Sequence, residues 1–350
     1  MTEEATLGVA GPVIGVDVGL RHLAMASLDA DGRARVIPNA EGHPRTPAAV
    51  HFYQADGVVV GDEAMKVAAL EPEFTSPDVI ALLGEASGLT FFERAWSPQE
   101  LVALVLRKLR EDAEDLRGED VTDACLAVPG FFDSAQRAAL LAAAEIAGWN
   151  VRAVVPHATA SLVGLGLDGV ADGARALLLD VRERGVEATL VRRDGDELHT
   201  LAGEHAIDAG LEAARLCLER ALADAWRSAL DEDPTEDPLR AAELRASTAD
   251  ALEVLARSTT AMARLGLGDR RVGHRLEREQ AVKAIWEPIT TIARLGLGAC
   301  RRDGGRPPDV ILLAGEGAGL PGLRRALQFA LRVEPQRPEG WADASVRGAA

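Results

Sequence analysis

VIGVDV (13–18), then HLAMASL (22–28), the turn DADG (29–32) and RARVI (33–37) form the stretch on which the fold turns. An unbroken apolar run bounded by turn residues reads as a buried strand, and the segments after it read as a hairpin closed at Asp31-Gly32. The chain repeats this device. ALLLDV (176–181) is again an apolar run ending in Asp-Val, and Asp194-Gly195 again makes the turn. The spacing from the first Asp to the Asp-Gly turn is the same in both, Asp17 to Asp31 and Asp180 to Asp194. Two strands ending in a carboxylate, each feeding a hairpin at matched register, predict duplicated halves.

Around these copies the pattern alternates between strand and helix. TPAAVHFY (46–53) and VVVG (58–61) read as strands on either side of Ala55-Asp56-Gly57. Ser97-Pro98-Gln99-Glu100 is a capping box with Pro at the first helical position, so a helix runs through LVALVLRKLREDAEDL. VTDACLAVP (121–129) is a buried strand, Asp133 or Ser134 caps an alanine-rich helix ending at Gly148, and VRAVV (151–155) is a further strand. A helix follows from about Ala158 to Gly166. From about His205 to Gly298 the pattern is helical, with one polar break, DEDPTEDP (231–238). ARLGLG occurs twice, at 263–268 and 293–298, and reads as a pair of helix stops. DVILLAG (309–315) is a last buried strand running into the glycine-rich turn GEGAGLPG and a helix.

The 350 residues suit about two domains at ~150 residues each. A hydrophobic content of 47% with 27% charged residues is that of a globular chain rather than a disordered one. No apolar run approaches the ~18 residues that span a bilayer, so no membrane partner is expected. The opening MTEEATLGVAGP carries acids where an export signal carries bases. Lys+Arg 38 against Asp+Glu 55 gives a net charge of −17, which repels phosphate backbones and argues against nucleic acid. Cys125, Cys217 and Cys300 form neither a disulfide framework nor a metal half-site, which fits a reducing cytoplasm. Lys66, Lys108 and Lys283 are the only lysines, so any step needing one has three candidates.

Three segments, VIPNAEGHPRTPAAVHF (36–52), VPGFFDSAQRAALLAAAEIAGWNV (128–151) and DVILLAGEGAGLPGLRRAL (309–327), closely resemble the nucleotide-binding domain of the heat-shock-70 (DnaK-like) chaperones. They stand in that family's order and spacing. The resemblance implies an α/β, actin-like (ribonuclease-H-like) duplicated fold of two lobes, each a mixed five-stranded sheet flanked by helices, with an added helical subdomain. Lobe I is then expected at 1–170 and lobe II at 171–350, its mostly helical part at about 205–300. The sequence stops at SVRGAA, where the family continues into a linker and a peptide-binding domain, so no peptide-binding domain is expected in these residues.

The resemblance also implies ATP or ADP with Mg²⁺, and the family's working parts can be matched one by one. Its first phosphate loop, Asp-Leu-Gly-Thr-Thr, is here Asp17-Val18-Gly19-Leu20-Arg21, keeping the aspartate and glycine and losing both threonines. Its second, Asp-Leu-Gly-Gly-Gly-Thr-Phe-Asp, is here Asp180-Val181-Arg182-Glu183-Arg184-Gly185-Val186-Glu187. A triglycine turn can aim several amides at one phosphate because glycine accepts φ > 0 and carries no side chain. Arg-Glu-Arg lacks that freedom, and Glu183 brings negative charge. Ile80 stands at the family's catalytic lysine, and Pro156-His157-Ala158-Thr159 matches its Asn-Glu-Pro-Thr. Leu252 and Glu253 stand for the basic pair around adenosine. On the glycine turn, Gly315 and Gly317 are candidate contacts, with Ala314 replacing a neighbouring glycine. Pro129 and Arg137 match the family's switch proline and relay arginine. If Mg²⁺ binds at all, Asp17 and Asp180 are its candidate holders, with Glu187 a third vestige of the catalytic set.

Each lost transition-state donor typically costs about 3–4 kcal/mol, so hydrolysis at a family-like rate is not expected. Two roles stay open for Arg21, Arg182 and Arg184: meeting phosphates in place of the lost amides, or pairing internally with Asp17, Asp180, Glu183 or Glu187. His157 has likewise a structural role or one in ligation or acid–base work. Three functions follow from the sequence. The first is a pseudo-ATPase acting as a chaperone-related scaffold or regulatory module for a protein partner. The second is a switch that binds ATP or ADP weakly. The third is an ATP-dependent folding component working with a separate substrate-binding partner.

Overall fold

The computed structural model describes residues 12–166, 169–230, 233–267 and 270–350. Most of the N-terminal stretch read against export, part of the polar break and Gly268 of the first ARLGLG lie outside the described residues. The chain divides into two compact units, one of 12–164 with 345–350 and one of 165–344.

In the first unit VIGVDV forms β1 (Val13–Val18), followed by β2 (His22–Leu28) and β3 (Ala34–Ile37). A small three-stranded sheet is built from β5 (Val50–Gln54), β6 (Gly57–Val60) and β7 (Thr75–Ser76), with β4 (Thr46–Pro47) before it and helix α1 (Asp62–Val67) within it. The hairpin β8 (Leu89–Phe91) and β9 (Arg94–Trp96) leads to α2 (Pro98–Arg117). Then come β10 (Asp123–Val128), α3 (Ser134–Ile146), β11 (Asn150–Pro156) and α4 (His157–Leu165). The main sheet runs β11-β10-β1-β2-β3, with β4 added against β2. β1 is parallel to β10 and antiparallel to β2. Helix starts follow the expected chemistry. Ser97 and Glu100, and Asp133 and Gln136, close reciprocal capping boxes, each cap being worth about 1 kcal/mol.

The second unit begins with β12 (Arg175–Val181), β13 (Val186–Asp194) and β14 (Glu197–Ala206), then α5 (Leu211–Leu230) and α6 (Pro238–Arg257). A hairpin of β15 (Thr260–Leu267) and β16 (Arg270–Glu277) precedes α7 (Arg278–Ala284) and α8 (Trp286–Arg302). β17 (Val310–Ala314), α9 (Leu323–Leu331) and β18 (Pro335–Gln336) follow. Its sheet runs β14-β13-β12-β17-β18, with β12 antiparallel to β13 and parallel to β17. Strand for strand this repeats the first sheet. Asp17 faces Ala24 and Asp180 faces Glu187, the same offset in both copies. Two separate apolar cores sit behind the two sheets, one around Ile14, Val16 and Leu126, the other around Leu177, Leu179 and Leu313.

Two sequence expectations need correction. The helical reading of 205–300 fails at its start, where β14 continues to Ala206, and in its middle, where the hairpin 260–277 stands. The ARLGLG repeats are not helix stops. The first belongs to a strand, because Ala261, Ala263 and Leu265 are buried while Met262 and Arg264 between them are exposed, the period-two pattern of a half-buried strand. The second lies inside α8, whose buried Ile289, Ile292, Ala293, Gly296 and Cys300 follow helical spacing. The flanks, not the shared hexapeptide, decide.

The other difference is at the C-terminus. The helix α10 (Ala344–Ala349) sends residues 345–350 into the first unit instead of ending the second. Backbone approach explains it. A Cβ added at Gly348 would fall inside the Ala160 carbonyl, and one at Gly15 of β1 would strike the backbone of Ala349 and Ala350. Only a residue without a side chain permits such contact. Gly348→Ala is therefore expected to cost about 2 kcal/mol of stability. An unchanged denaturant midpoint would show that this helix does not pack on Ala160.

Candidate functional site

Each unit carries its own candidate loop at the end of its central strand. In the first unit β1 delivers Asp17 to the sheet's end, 8% exposed. The facing group comes from α4, which opens directly after β11. The imidazole of His157, fully buried, places Nε2 2.9 Å from Asp17 Oδ1. That contact is an ion pair when the imidazole is protonated. The turn after Asp17 is closed by the protein itself. The Gly19 amide donates to the His22 carbonyl at 3.1 Å, and the Arg21 carbonyl accepts from the Ala48 amide at 2.8 Å. Leu20 points into the apolar core with 6% exposure. Where a hydroxyl would serve a phosphate or metal shell, this chain has a core side chain.

Ile80 has gone the same way. It is fully buried in the short 3₁₀ turn Val79–Leu82 and packs in the first core, so this position offers no charge. Pro129 and Arg137 form a brace. The Arg137 Nε donates to the Phe132 carbonyl at 3.0 Å, and Phe132 closes a turn on the Pro129 carbonyl.

In the second unit β12 ends in Asp180, 2% exposed, and the loop 182–185 turns the chain into β13. Arg182 folds back on its own strand, with Nε and Nη2 each 3.0 Å from Asp180 Oδ2. Glu183 pairs with Arg215 of α5. The backbone is tied just as firmly. The Arg182 amide donates to Gly185, and the Gly185 amide donates to Ala209 at 2.7 Å. The carbonyls of Arg182 and Glu183 accept from the first amides of α5, Leu211 and Glu212, each at 2.9 Å. A helix N-terminus is a ready anion site; here its first two amides, of Leu211 and Glu212, are spent on the loop. Arg184 is half-exposed, and Glu187 lies buried on β13 opposite His205.

The glycine turn after β17 backs onto the same strand end. Gly315 has φ 79°, and a Cβ there would collide with the Asp180 carboxylate and the Val181 carbonyl. Gly317 abuts the Val181 side chain. These glycines serve close packing of β17 on β12. Leu252 is buried in α6, while Glu253 of the same helix is exposed.

Neither loop by itself offers a fitting donor set for a magnesium-bound triphosphate. In the first, the Gly19 amide points to a protein carbonyl, Asp17 faces the His157 imidazole, and Leu20 and Ile80 are core residues. In the second, the Arg182 and Gly185 amides point to protein carbonyls and Asp180 faces Arg182. Sequence reasoning identified Asp17, Asp180 and Arg182 but missed Arg215 and the α5 amides as their surroundings. Residue spacing carries no sign that a helix start thirty residues on would close over the loop. All three cysteines are free, and burial pushes each thiol up, so none is a ready nucleophile.

If Arg182 serves Asp180, removing it leaves a buried carboxylate short of its counter-charge. Arg182→Ala is expected to lower stability by about 3 kcal/mol. Unfolding at the wild-type denaturant midpoint would instead assign that arginine to a ligand.

Among known proteins, the family described as "Hsp70 protein" matches residues 13–89 and 87–267. The chain is 33% identical over 169 residues to the chaperone protein DnaK of Thermotoga neapolitana, 48% of this chain and 28% of the relative. The same figures hold for the DnaK proteins of Thermotoga petrophila and Thermotoga maritima. The matched stretch thus covers less than a third of each relative's length.

Proposed function

The chain belongs to the Hsp70 family, and from that membership we propose that it is a nucleotide-binding domain that no longer hydrolyses ATP and acts as a regulatory or scaffold module for a protein partner. One observation carries this reading: the Gly19, Arg182 and Gly185 amides and the side chains of Asp17, Asp180, Arg182 and Glu183 already face partners within the protein. Phosphoryl transfer has little covalent work for a protein to do and depends on positioning and neutralising charge. In this chain the basic groups face its own carboxylates. Arg182 neutralises Asp180, Arg215 neutralises Glu183, and the His157 imidazole stands against Asp17.

An arginine clamp for nucleotide is the weaker reading, because a clamp needs a guanidinium to spare. Arg182 would have to leave Asp180 behind, buried and short of its partner, to reach a phosphate. The printed name of the relatives, a chaperone, supports a chaperone-related setting. Their whole cycle is not carried over, since the match covers 28% of them. Among the described residues no helix is long and apolar enough to cross a membrane. With three free thiols, a cytoplasmic setting suits the chain.

Steady-state phosphate release in the presence of Mg²⁺ and ATP tests the proposal. No turnover above the buffer rate is expected. Turnover that vanishes in Asp17→Asn would mean that the old catalytic carboxylate still works.

A further inference from the structure

In a chain with net charge −17, the second unit gathers arginines around one cavity. This cavity, of about 760 Å³, lies between the end of α6, the start of α7, the turn 318–322 and the segment around Arg337. That volume is in the range of small-molecule sites. Its floor is apolar, with Leu255, Val282 and Leu320, and its walls carry Arg278, Arg324, Arg325 and Arg337. Two carboxylates also line it. Glu277 already pairs with Arg275 at 3.1 Å, and Glu279 is exposed to solvent.

The arginines differ in how far they are committed. Arg324 reaches Glu334 at 3.2 Å and the Pro335 carbonyl. Arg278 is positioned by its Nε, which donates to the Leu255 and Ser258 carbonyls. Among the described residues no carboxylate pairs with Arg325 or Arg337. Arg337 is half-buried, with its guanidinium stacked 5.1 Å from the Trp341 ring centroid. Burial, and then the like charges of Arg324 and Arg257, pull it below its ordinary pKa. It stays charged at neutral pH, and a partly buried charge with no counter-ion is costly. Stacking on an aromatic face holds the guanidinium flat and keeps its donors in one plane, the geometry that engages an oxyanion in pairs.

We propose that this cavity binds a small organic phosphate, a phosphomonoester with an apolar or aromatic body. Arg325 and Arg337, which line the cavity with no carboxylate paired to them among the described residues, suit a dianion, and the apolar lining takes the body to which it is attached. The site is distinct from the loop 182–185. The turn after β17 separates them, its Gly315 end against Asp180 and its Gly319 end against Arg337.

Calorimetric titration of the full chain with phenyl phosphate, in low salt without nucleotide or Mg²⁺, tests this. One saturable site is expected, weakened at least tenfold by Arg337→Ala, the loss of one paired charge-assisted contact. Arg325→Ala, at an exposed position that leaves the fold intact, is expected to weaken it as well, and Arg184→Ala to leave it unchanged. Absence of a saturable site, or affinity unaffected by both Arg337→Ala and Arg325→Ala, would overturn the proposal. So would phenol binding as tightly as phenyl phosphate, benzoate binding more tightly, or loss of binding in Arg184→Ala, which would put the anion on the other loop. ATP turnover by the wild-type chain would end the pseudo-ATPase reading without touching this titration.

Discussion

A carboxylate that ends a buried central strand needs a basic partner. The fold imposes this twice, at Asp17 and Asp180, because each sits between hydrogen-bonded neighbours where water does not reach it freely. An uncompensated charge there costs several kcal/mol. The two copies solve the problem differently. Asp17 takes an imidazole from the first residue of the helix that follows β11, and Asp180 takes a guanidinium from its own loop two residues on.

The rest of each loop follows from that choice. Once Arg182 folds back on Asp180, Glu183 turns to Arg215, and the loop carbonyls become acceptors for the opening amides of α5. The turn is then hydrogen-bonded to protein at Arg182, Glu183 and Gly185, and opening it for a ligand would break several contacts at once. In the first unit packing takes the corresponding part, since Leu20 and Ile80 both lie in the apolar core.

Much of this was legible in the sequence. VIGVDV and ALLLDV announced the central strands, their shared Asp-to-turn spacing announced the duplication, and SPQE and DSAQ marked two helix starts. The first ARLGLG misled because a hexapeptide has no fixed structure. Alternating burial set by a partner strand made it a strand, while the same letters in α8 met a helical face. The partners of the loop were hidden for a related reason. Arg215 lies thirty-two residues from Glu183 and is brought to it by the docking of α5, a tertiary event that local pattern does not encode. The return of 345–350 to the first unit depends on backbone contacts at Gly15 and Gly348, where the informative feature is a missing side chain.

Amide hydrogen exchange at Gly19, Arg182 and Gly185, followed with and without saturating ATP and Mg²⁺, addresses the central claim most directly. If these donors are held by protein carbonyls, all three exchange slowly in the free chain and equally slowly with nucleotide. Fast exchange in the free chain that becomes slow only when the nucleotide is added would contradict it, since the amides would then be waiting for phosphate.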